Sequence, residues 1–142
     1  MILPADMARI HALAFAGQGR AWREEEFADL MATGHVICVG DHMSFSLSRL
    51  IADEAELLTL ATLPAERRQG AARRILAALE TDLRDRGAVR QFLEVAEDNM
   101  AARALYASCD YVETGRRGAY YRRPDDTRID ALILTKPLDQ VG

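Results

Sequence analysis

The spacing of apolar residues changes several times along the chain, and each change predicts a helix or a strand. Near the N-terminus, apolar positions recur every three or four residues after Pro4, a residue favoured in the first turn of a helix. Gly17 and Gly19 are expected to end this helix. A second, short helix is predicted over residues 22–31, with Phe27 on its apolar side.

Three strand-like segments follow, over residues 35–39, 43–51 and 55–62, separated by short polar turns. Strands joined by such short turns pair antiparallel, so we expect a meander. Pro64 comes after the third segment and lacks the backbone N–H that a longer strand would need.

From Gly70 the apolar positions return to helical spacing, and Gly87 is expected to end this long helix. A strand over 91–95, a helix over 99–108 and strands near 111–115 and 130–135 complete the prediction. Because a helical crossover of this length joins parallel strands, segments 55–62 and 92–95 are predicted to be parallel neighbours. The whole pattern predicts an α+β sandwich with a mixed sheet.

Length and composition narrow the class of protein. The chain has 142 residues, of which 49% are hydrophobic, enough for one domain with one substantial core. No apolar run approaches the roughly 20 residues of a membrane helix, and the N-terminus lacks the features of a secretory signal, so we expect a cytoplasmic protein without membrane contact.

The net charge of -4 argues against nucleic-acid binding, which needs a positive field. One basic and aromatic stretch, residues 116–123, runs against this trend. It is interpreted either as a solvated hairpin or as an RNA-binding surface on which bases stack.

A metal site is not expected from the cysteine and histidine pattern. The two cysteines, Cys38 and Cys109, are too few for a disulfide framework. His35, Cys38 and His42 lie close together, but no second Cys/His pair completes a tetrahedral set. Strand alternation would also direct His35 and Cys38 to opposite faces.

The segment Arg67-Arg68-Gln69-Gly70-Ala71-Ala72 lies between a predicted strand and the start of the long helix. A helix start presents free N–H groups and a partial positive charge, which attract phosphates. Gly70 lets a phosphate approach the backbone, and the arginines can add charged hydrogen bonds. Plain turn geometry also accounts for a glycine at this point.

Arg67-x-x-Gly70-x-Ala72 resembles the pyrophosphate-binding motif R/Q-x-x-G-x-G/A of the GNAT acetyltransferases. The run Leu93-Glu94-Val95-x-x-x-Asn99-x-x-Ala102-x-x-Leu105-Tyr106 resembles the second half of that family's core. Together with Arg117-x-x-Tyr120-Tyr121 and Asp130-Ala-Leu, it is most similar to the bacterial ribosomal-protein-alanine N-acetyltransferases. The resemblance spans roughly residues 54–137 and weakens upstream, where Trp22 and Phe27 only echo the family.

The resemblance implies a single GNAT domain over residues 1–142. Its sheet would be mixed and mostly antiparallel, with about six to seven strands, a central parallel pair and about four flanking helices. It further implies acetyl-CoA as the acetyl donor and no metal. Contacts with acetyl-CoA would fall on the following residues: Leu60, Ala61, Thr62, Arg67, Arg68, Gln69, Gly70, Ala71, Ala72, Arg73 and Asn99. Asn99 is equally well explained as a helix cap.

Glu94 matches the family's general base and Tyr106 its general acid. A protonated amine must lose a proton before it attacks a thioester, and a carboxylate can accept that proton directly or through water. A phenol can protonate the departing thiolate, and no covalent enzyme intermediate is required. The alternatives are that Glu94 is a structural acid and that Tyr106 is a core residue.

The acceptor implied by the resemblance is the N-terminal alanine of a ribosomal protein, with Arg117, Tyr120 and Tyr121 lining the peptide groove. Another protein or small-molecule amine, or a non-catalytic acetyl-CoA sensor, remains an alternative. The oligomeric state is not predicted. The chain departs from the family at Asp110, where a glycine is usual, and in an apparently short N-terminus that leaves the first strand truncated or absent. Aspartate tolerates the left-handed conformation expected at that position.

Overall fold

The computed structural model describes residues 2–16, 21–67 and 69–139. Within these ranges the chain forms the following helices and strands: α1 (Pro4–Ala14), α2 (Glu24–Ala32), β1 (Val36–Gly40), β2 (Ser44–Ile51), β3 (Glu54–Thr62), α3 (Ala71–Asp85), β4 (Arg90–Ala96), α4 (Met100–Ser108), β5 (Val112–Arg122) and β6 (Arg128–Pro137). The predicted helix break at 17–19 lies outside the described residues.

The described strands form one six-stranded sheet in the order β1-β2-β3-β4-β6-β5. β3 and β4 are parallel, and every other neighbouring pair is antiparallel. With four α-helices on this sheet, the structure confirms the predicted mixed sheet with a central parallel pair. No strand precedes α1 among the described residues.

Helix α3 makes the crossover between the two parallel strands. It begins after Gly70, which has φ of 78°, and its last turn is followed by Gly87, which has φ of 89°. Leu76, Leu79 and Leu83 form its buried stripe. None of the described helices is long and apolar enough to cross a bilayer.

The core consists of two hydrophobic clusters. One contains the α3 stripe together with Leu93 and Val95 of β4 and Tyr106 of α4. The other contains α1, α2 and the buried Phe45 and Leu47 of β2. The helices are thereby divided between two packing surfaces of the sheet.

Strand β5 is longer than predicted. It was expected only near 111–115, with a turn-rich segment after it, but it continues to Arg122. Arg117 pairs with Ala131 of β6, and the next paired residue of β5, Tyr121, lies opposite Ile129. The three residues between Arg117 and Tyr121 therefore form a bulge. Asp130 stabilises this bulge, because its Oδ1 accepts a 2.8 Å hydrogen bond from the N–H of Ala119. The bulge lets the strand resume where a turn was expected.

Asp110 ends α4 in the left-handed conformation, with φ of 73°, which confirms the prediction at this position. Its N–H donates to the carbonyl of Ala107 at 3.1 Å, and the N–H of Tyr111 donates to the carbonyl of Tyr106 at 3.0 Å. These two bonds form a Schellman motif. The chain therefore leaves α4 along a fixed path.

Candidate active site

The two parallel strands at the centre of the sheet part after a short stretch of pairing. β3 pairs with β4 only through Glu54, Ala55 and Glu56. Directly beyond, Leu58 is an extra residue in β3, because Leu57 pairs with Ser48 and Thr59 pairs with Leu47. Such a bulge bends the strand. The remainder of β3 up to Thr62 pairs with β2 on one edge and leaves its other edge open.

A cleft of about 1070 Å³ occupies the space between the parted strands. Residues 57–60 of β3 form one wall and residues 93–96 of β4 form the other. Ala102 and Tyr106 of α4 line the cleft. His11 of α1 and Phe15, the residue after α1, line it as well. Because side chains from both core clusters reach the same space, the gap connects the two faces of the sheet.

Glu94 lies in this cleft on β4. Its neighbours Leu93 and Val95 are buried in the cluster that contains α3, so strand alternation directs Glu94 to the opposite face. Its Oε1 lies 3.0 Å from Nε of Arg117, and 28% of its side chain is exposed. A solvent-reachable carboxylate in an open gap can exchange protons with a molecule that enters the gap.

Tyr106 lies in the same cleft, on α4. The residue is 9% exposed, and burial is the largest cause that raises its pKa, followed by the nearby Cys109. No buried side-chain polar atom of the described residues lacks a hydrogen-bond partner. The Tyr106 hydroxyl makes no hydrogen bond to any described residue, and the residue lines the cleft. Burial therefore favours the protonated form of this phenol.

The structure confirms that Asn99 caps a helix, one of the two roles predicted for it. Its Oδ1 accepts a 3.2 Å hydrogen bond from the N–H of Ala102 at the start of α4. The residue also lines the cleft. Capping does not occupy the side-chain amide group, so a contact with a bound molecule stays a prediction.

The turn before α3 lies outside the residues that line the cleft. No side chain caps the helix at Gly70, so the N–H groups of Ala71, Ala72 and Arg73 lack side-chain partners within the described ranges. Arg67 donates through Nη2 to the carbonyl of Ala14, and so ties this turn to α1. Arg68, a predicted contact, lies outside the described residues.

Gln69 is held by its neighbours on the exposed turn. Its carbonyl accepts a 2.8 Å hydrogen bond from Nη1 of Arg74, and its amide donates weakly to the carbonyl of Ala65 at 3.4 Å. The same guanidinium would lie 3.2 Å from a Cβ at Gly70. A side chain at position 70 would therefore crowd Arg74 and strain the left-handed backbone.

The predicted residues of β3 occupy different environments. Leu60 lines the cleft. Ala61 is 1% exposed and packs in the core, while the hydroxyl of Thr62 lies 2.8 Å from that of Ser44. Neither Ala61 nor Thr62 is among the residues that line the cleft.

The predicted acceptor residues surround the bulge of β5. Tyr121 lines the cleft, and burial followed by the charge of Glu94 raises its pKa. Tyr120 is 50% exposed, and its ring lies 5.1 Å from that of Tyr121. The guanidinium of Arg117 lies 5.2 Å from the centre of the Tyr120 ring.

An aromatic wall on the α1 side of the cleft was not among the predicted site residues. The rings of His11 and Trp22 stack at 5.1 Å, and Phe15 lies 4.6 Å from His11. The backbone N–H of Trp22 donates to Nδ1 of His11 at 3.4 Å. The available clue was a histidine on the apolar face of α1, one residue after the buried Ile10.

No cluster of three or more potential metal ligands occurs in residues 2–16, 21–67 and 69–139. The cleft instead offers a carboxylate, a phenol, an open strand edge and aromatic walls. A carboxylate and a phenol are groups that can take up or release a proton.

Fold and cleft together define an α+β protein with an open cleft between two parted parallel strands. The model of the Acetyltransferase (GNAT) family matches residues 12–111 of the chain. The chain belongs to this family, which confirms the resemblance found in the sequence.

Two curated relatives are ribosomal protein bS18-alanine N-acetyltransferases. That of Haemophilus ducreyi is 37% identical over 92 residues, which cover 65% of this chain and 63% of the relative. That of Escherichia coli K12 is 37% identical over 99 residues, which cover 70% of this chain and 66% of the relative. The aligned region thus spans slightly less than two thirds of each relative's length.

A solved structure supports the same relationship over more of the chain. The crystal structure of the ribosomal-protein-S18-alanine N-acetyltransferase from Escherichia coli superposes with a TM-score of 0.85 and 31% identity. The superposition covers 98% of this chain and 90% of that one.

Proposed function

We propose that the protein transfers an acetyl group from acetyl-CoA to a primary amine by direct attack. The observation that carries this proposal is the gap between the parted strands β3 and β4, onto which Glu94 and Tyr106 both open. Membership of the GNAT family supports the reaction class.

Acetyl-CoA would bind from the open edge of β3 to the start of α3. The backbone at Leu60, Ala61 and Thr62 would hold the pantetheine arm, because that edge has no partner strand. The pyrophosphate would lie at the uncapped helix start, over the main chain of residues 67–73. Asn99 would contact the donor within the cleft. The thioester supplies the activated acetyl group.

In the proposed reaction Glu94 takes a proton from the acceptor ammonium, directly or through water. The free amine nitrogen then forms a bond to the acetyl carbon, the carbon–sulfur bond breaks, and the nitrogen releases its second proton to water. Tyr106 donates its phenolic proton to the departing sulfur, which yields the amide and the CoA thiol. Both groups regain their starting protonation by exchange with solvent. Holding the reactants together in the cleft supplies much of the rate enhancement.

The acceptor we propose is the N-terminal alanine of ribosomal protein bS18, the substrate named for the relatives. The peptide would lie in a groove beside Glu94, formed at the bulge of β5. Arg117, Tyr120 and Tyr121 would line this groove. The rings of His11 and Trp22 would form the opposite wall.

The same proposal extends to the domain organisation, the cellular location and the partners of the enzyme. Residues 1–142 would form one GNAT domain, since both helix pairs pack on one continuous sheet. We further propose that it acts in the cytoplasm and, given its net charge of -4, does not bind nucleic acid directly. The arginines of the 116–123 stretch support this, because Arg116, Arg117 and Arg123 are each paired with a carboxylate.

The test is release of CoA, followed by thiol detection, with acetyl-CoA and a peptide that copies the alanine-starting N-terminus of bS18. The control is the same peptide with its N-terminus already acetylated. We expect release with the free peptide only. If acetyl-CoA binds in calorimetry but the free peptide causes no release, the acceptor is another amine or the protein is a non-catalytic sensor.

A further inference from the structure

Tyr111 is attached to Tyr106 in two ways. Its N–H donates a 3.0 Å hydrogen bond to the carbonyl of Tyr106, within the turn that ends α4. Its ring meets the ring of Tyr106 edge to face, with centroids 5.7 Å apart and planes at 66°. The ring of Tyr111 therefore forms part of the surface that fixes the orientation of the Tyr106 ring.

The hydroxyl of Tyr111 is held in turn by two buried side chains. It accepts a 2.8 Å hydrogen bond from Nε2 of Gln91 and donates one of 2.8 Å to Oε2 of Glu80. Tyr111 is 3% exposed, Gln91 is 0% exposed and Glu80 is 4% exposed. Burial, followed by the charge of Glu80, raises the pKa of Tyr111, so the hydroxyl keeps the proton that it donates.

Two further residues fix these partners in place. The hydroxyl of Ser48 donates to Oε1 of Gln91 at 2.6 Å, and Nζ of Lys136 donates to Oε1 of Glu80 at 2.7 Å. Lys136 is the only lysine of the chain. The five residues come from β2, α3, β4, β6 and the segment after α4. The network therefore joins the sheet to α3 and to the end of α4.

Packing alone does not account for this network. A phenylalanine would supply the same ring to the core without placing a hydroxyl, an amide and a carboxylate in a buried space, where each polar group needs a partner. Buried polar networks with every group satisfied specify a single arrangement of the elements that they join. The element fixed here is the end of α4, which carries Tyr106.

We infer that Tyr111 is a positioning residue, whose anchored ring holds the phenol of Tyr106 at the angle needed for proton donation in the cleft. This inference rests on the proposed role of Tyr106 as general acid. The hydroxyl of Tyr111 does not touch the reacting atoms. It acts through the ring contact and the shared turn.

The first test does not depend on catalysis. The chain has four tyrosines, so a sample labelled with ¹³C at the ring Cζ atoms gives four NMR signals. In Tyr111→Phe we expect the Tyr106 signal to shift or broaden, while those of Tyr120 and Tyr121 stay in place. An unchanged Tyr106 signal overturns the inference even if the enzyme acetylates its peptide as proposed.

The second test is a double-mutant cycle on acetyl transfer. Tyr111→Phe should lower kcat about tenfold and leave both KM values within about twofold, because a small misplacement of a reacting group is costly. In a Tyr106→Phe background the same substitution should have no further effect. An equal loss in both backgrounds shows that Tyr111 acts elsewhere and contradicts the inference.

Two further variants separate a loss of positioning from a general loss of stability. Ile37→Val removes a core methylene from β1, away from the cleft, and should leave kcat unchanged. If Tyr111→Phe does not fold, Glu80→Gln weakens the same anchor and should shift the Tyr106 signal by a smaller amount; an unchanged signal again refutes the inference. Absence of acetyl transfer by the unaltered protein would refute the proposed function without affecting the NMR result.

Discussion

Nε of Arg117 lies 3.0 Å from Oε1 of Glu94, although the two residues belong to strands that are not neighbours. β6 runs between β4 and β5, so the arginine reaches across a strand to the carboxylate. The other oxygen, Oε2, has no hydrogen-bond partner in the described part of the chain. The pair therefore holds one carboxylate oxygen and leaves the other available for the proposed proton transfer.

Removing this pair should affect catalysis more than stability. Arg117→Ala is expected to lower kcat/KM for the peptide about tenfold, because the carboxylate loses its orientation and the groove loses one wall. The free energy of unfolding should change by less than about 1 kcal/mol, as is usual for exposed ion pairs. Steady-state kinetics and urea denaturation measure the two effects.

Arg117→Lys serves as the control for that variant. It keeps the positive charge but loses the planar donor and its contact with the Tyr120 ring. We expect activity between the unaltered protein and Arg117→Ala. Full activity in both variants would show that the contact has no part in the reaction.

The turn at Gly70 should be required for binding acetyl-CoA. Gly70→Asp adds a side chain at a φ of 78° and a negative charge where the pyrophosphate is proposed to lie. We expect the dissociation constant in calorimetry to rise by at least about a hundredfold, since charge repulsion and steric blockage act together.

Gly87→Asp is a matched control at the other end of the same helix. Gly87 has φ of 89°, and a Cβ there would meet no atom within 4 Å. The substitution should cost similar backbone strain yet leave the affinity for acetyl-CoA unchanged. Equal losses of affinity in both variants would assign the effect to the fold rather than to the turn.

The raised pKa of Tyr106 makes a prediction about alkaline pH. Burial favours the neutral phenol, so the group stays protonated through the ordinary tyrosine value of 10.0. The profile of kcat should therefore show no loss from Tyr106 as the pH rises from about 8 to about 10. A fall in that range that disappears in Tyr106→Phe would contradict the assignment.

Asp110→Gly should stabilise the protein. Asp110 occupies a left-handed conformation, at φ of 73°, that glycine adopts with less strain. We expect the free energy of unfolding to rise by about 0.5–1 kcal/mol. Asp85→Gly, at the end of α3, should instead lower it, and a destabilised Asp110→Gly would show that the aspartate side chain stabilises the turn.

Much of the fold could be predicted because its signals are local. The apolar stripe of α3, the cap at Asn99 and the turn at Asp110 each depend on residues within a few positions of one another. The match to the family model confirms the resemblance carried by Arg67-x-x-Gly70-x-Ala72 and by the run that begins Leu93-Glu94-Val95.

The remaining features depend on contacts between distant parts of the chain. The extra residue at Leu58 is defined by its pairing with β2, and the bulge of β5 depends on Asp130, eleven positions from Ala119. The network around Tyr111 joins residues from Ser48 to Lys136, so no short motif reveals it. His11 was overlooked because a histidine on an apolar helix face ordinarily belongs to the core.

The central claim is that Glu94 accepts the proton of the amine at the parted strands. Its most direct test is single-turnover acetyl transfer by Glu94→Gln with saturating acetyl-CoA, beside calorimetric titration of the same variant. Glu97→Gln, which alters a carboxylate paired with Arg116 outside the cleft, is the matched control. We expect the rate for Glu94→Gln to fall by about 10² to 10⁴ while the acetyl-CoA dissociation constant and the control rate stay unchanged. Transfer by Glu94→Gln at the rate of the unaltered protein would contradict the account.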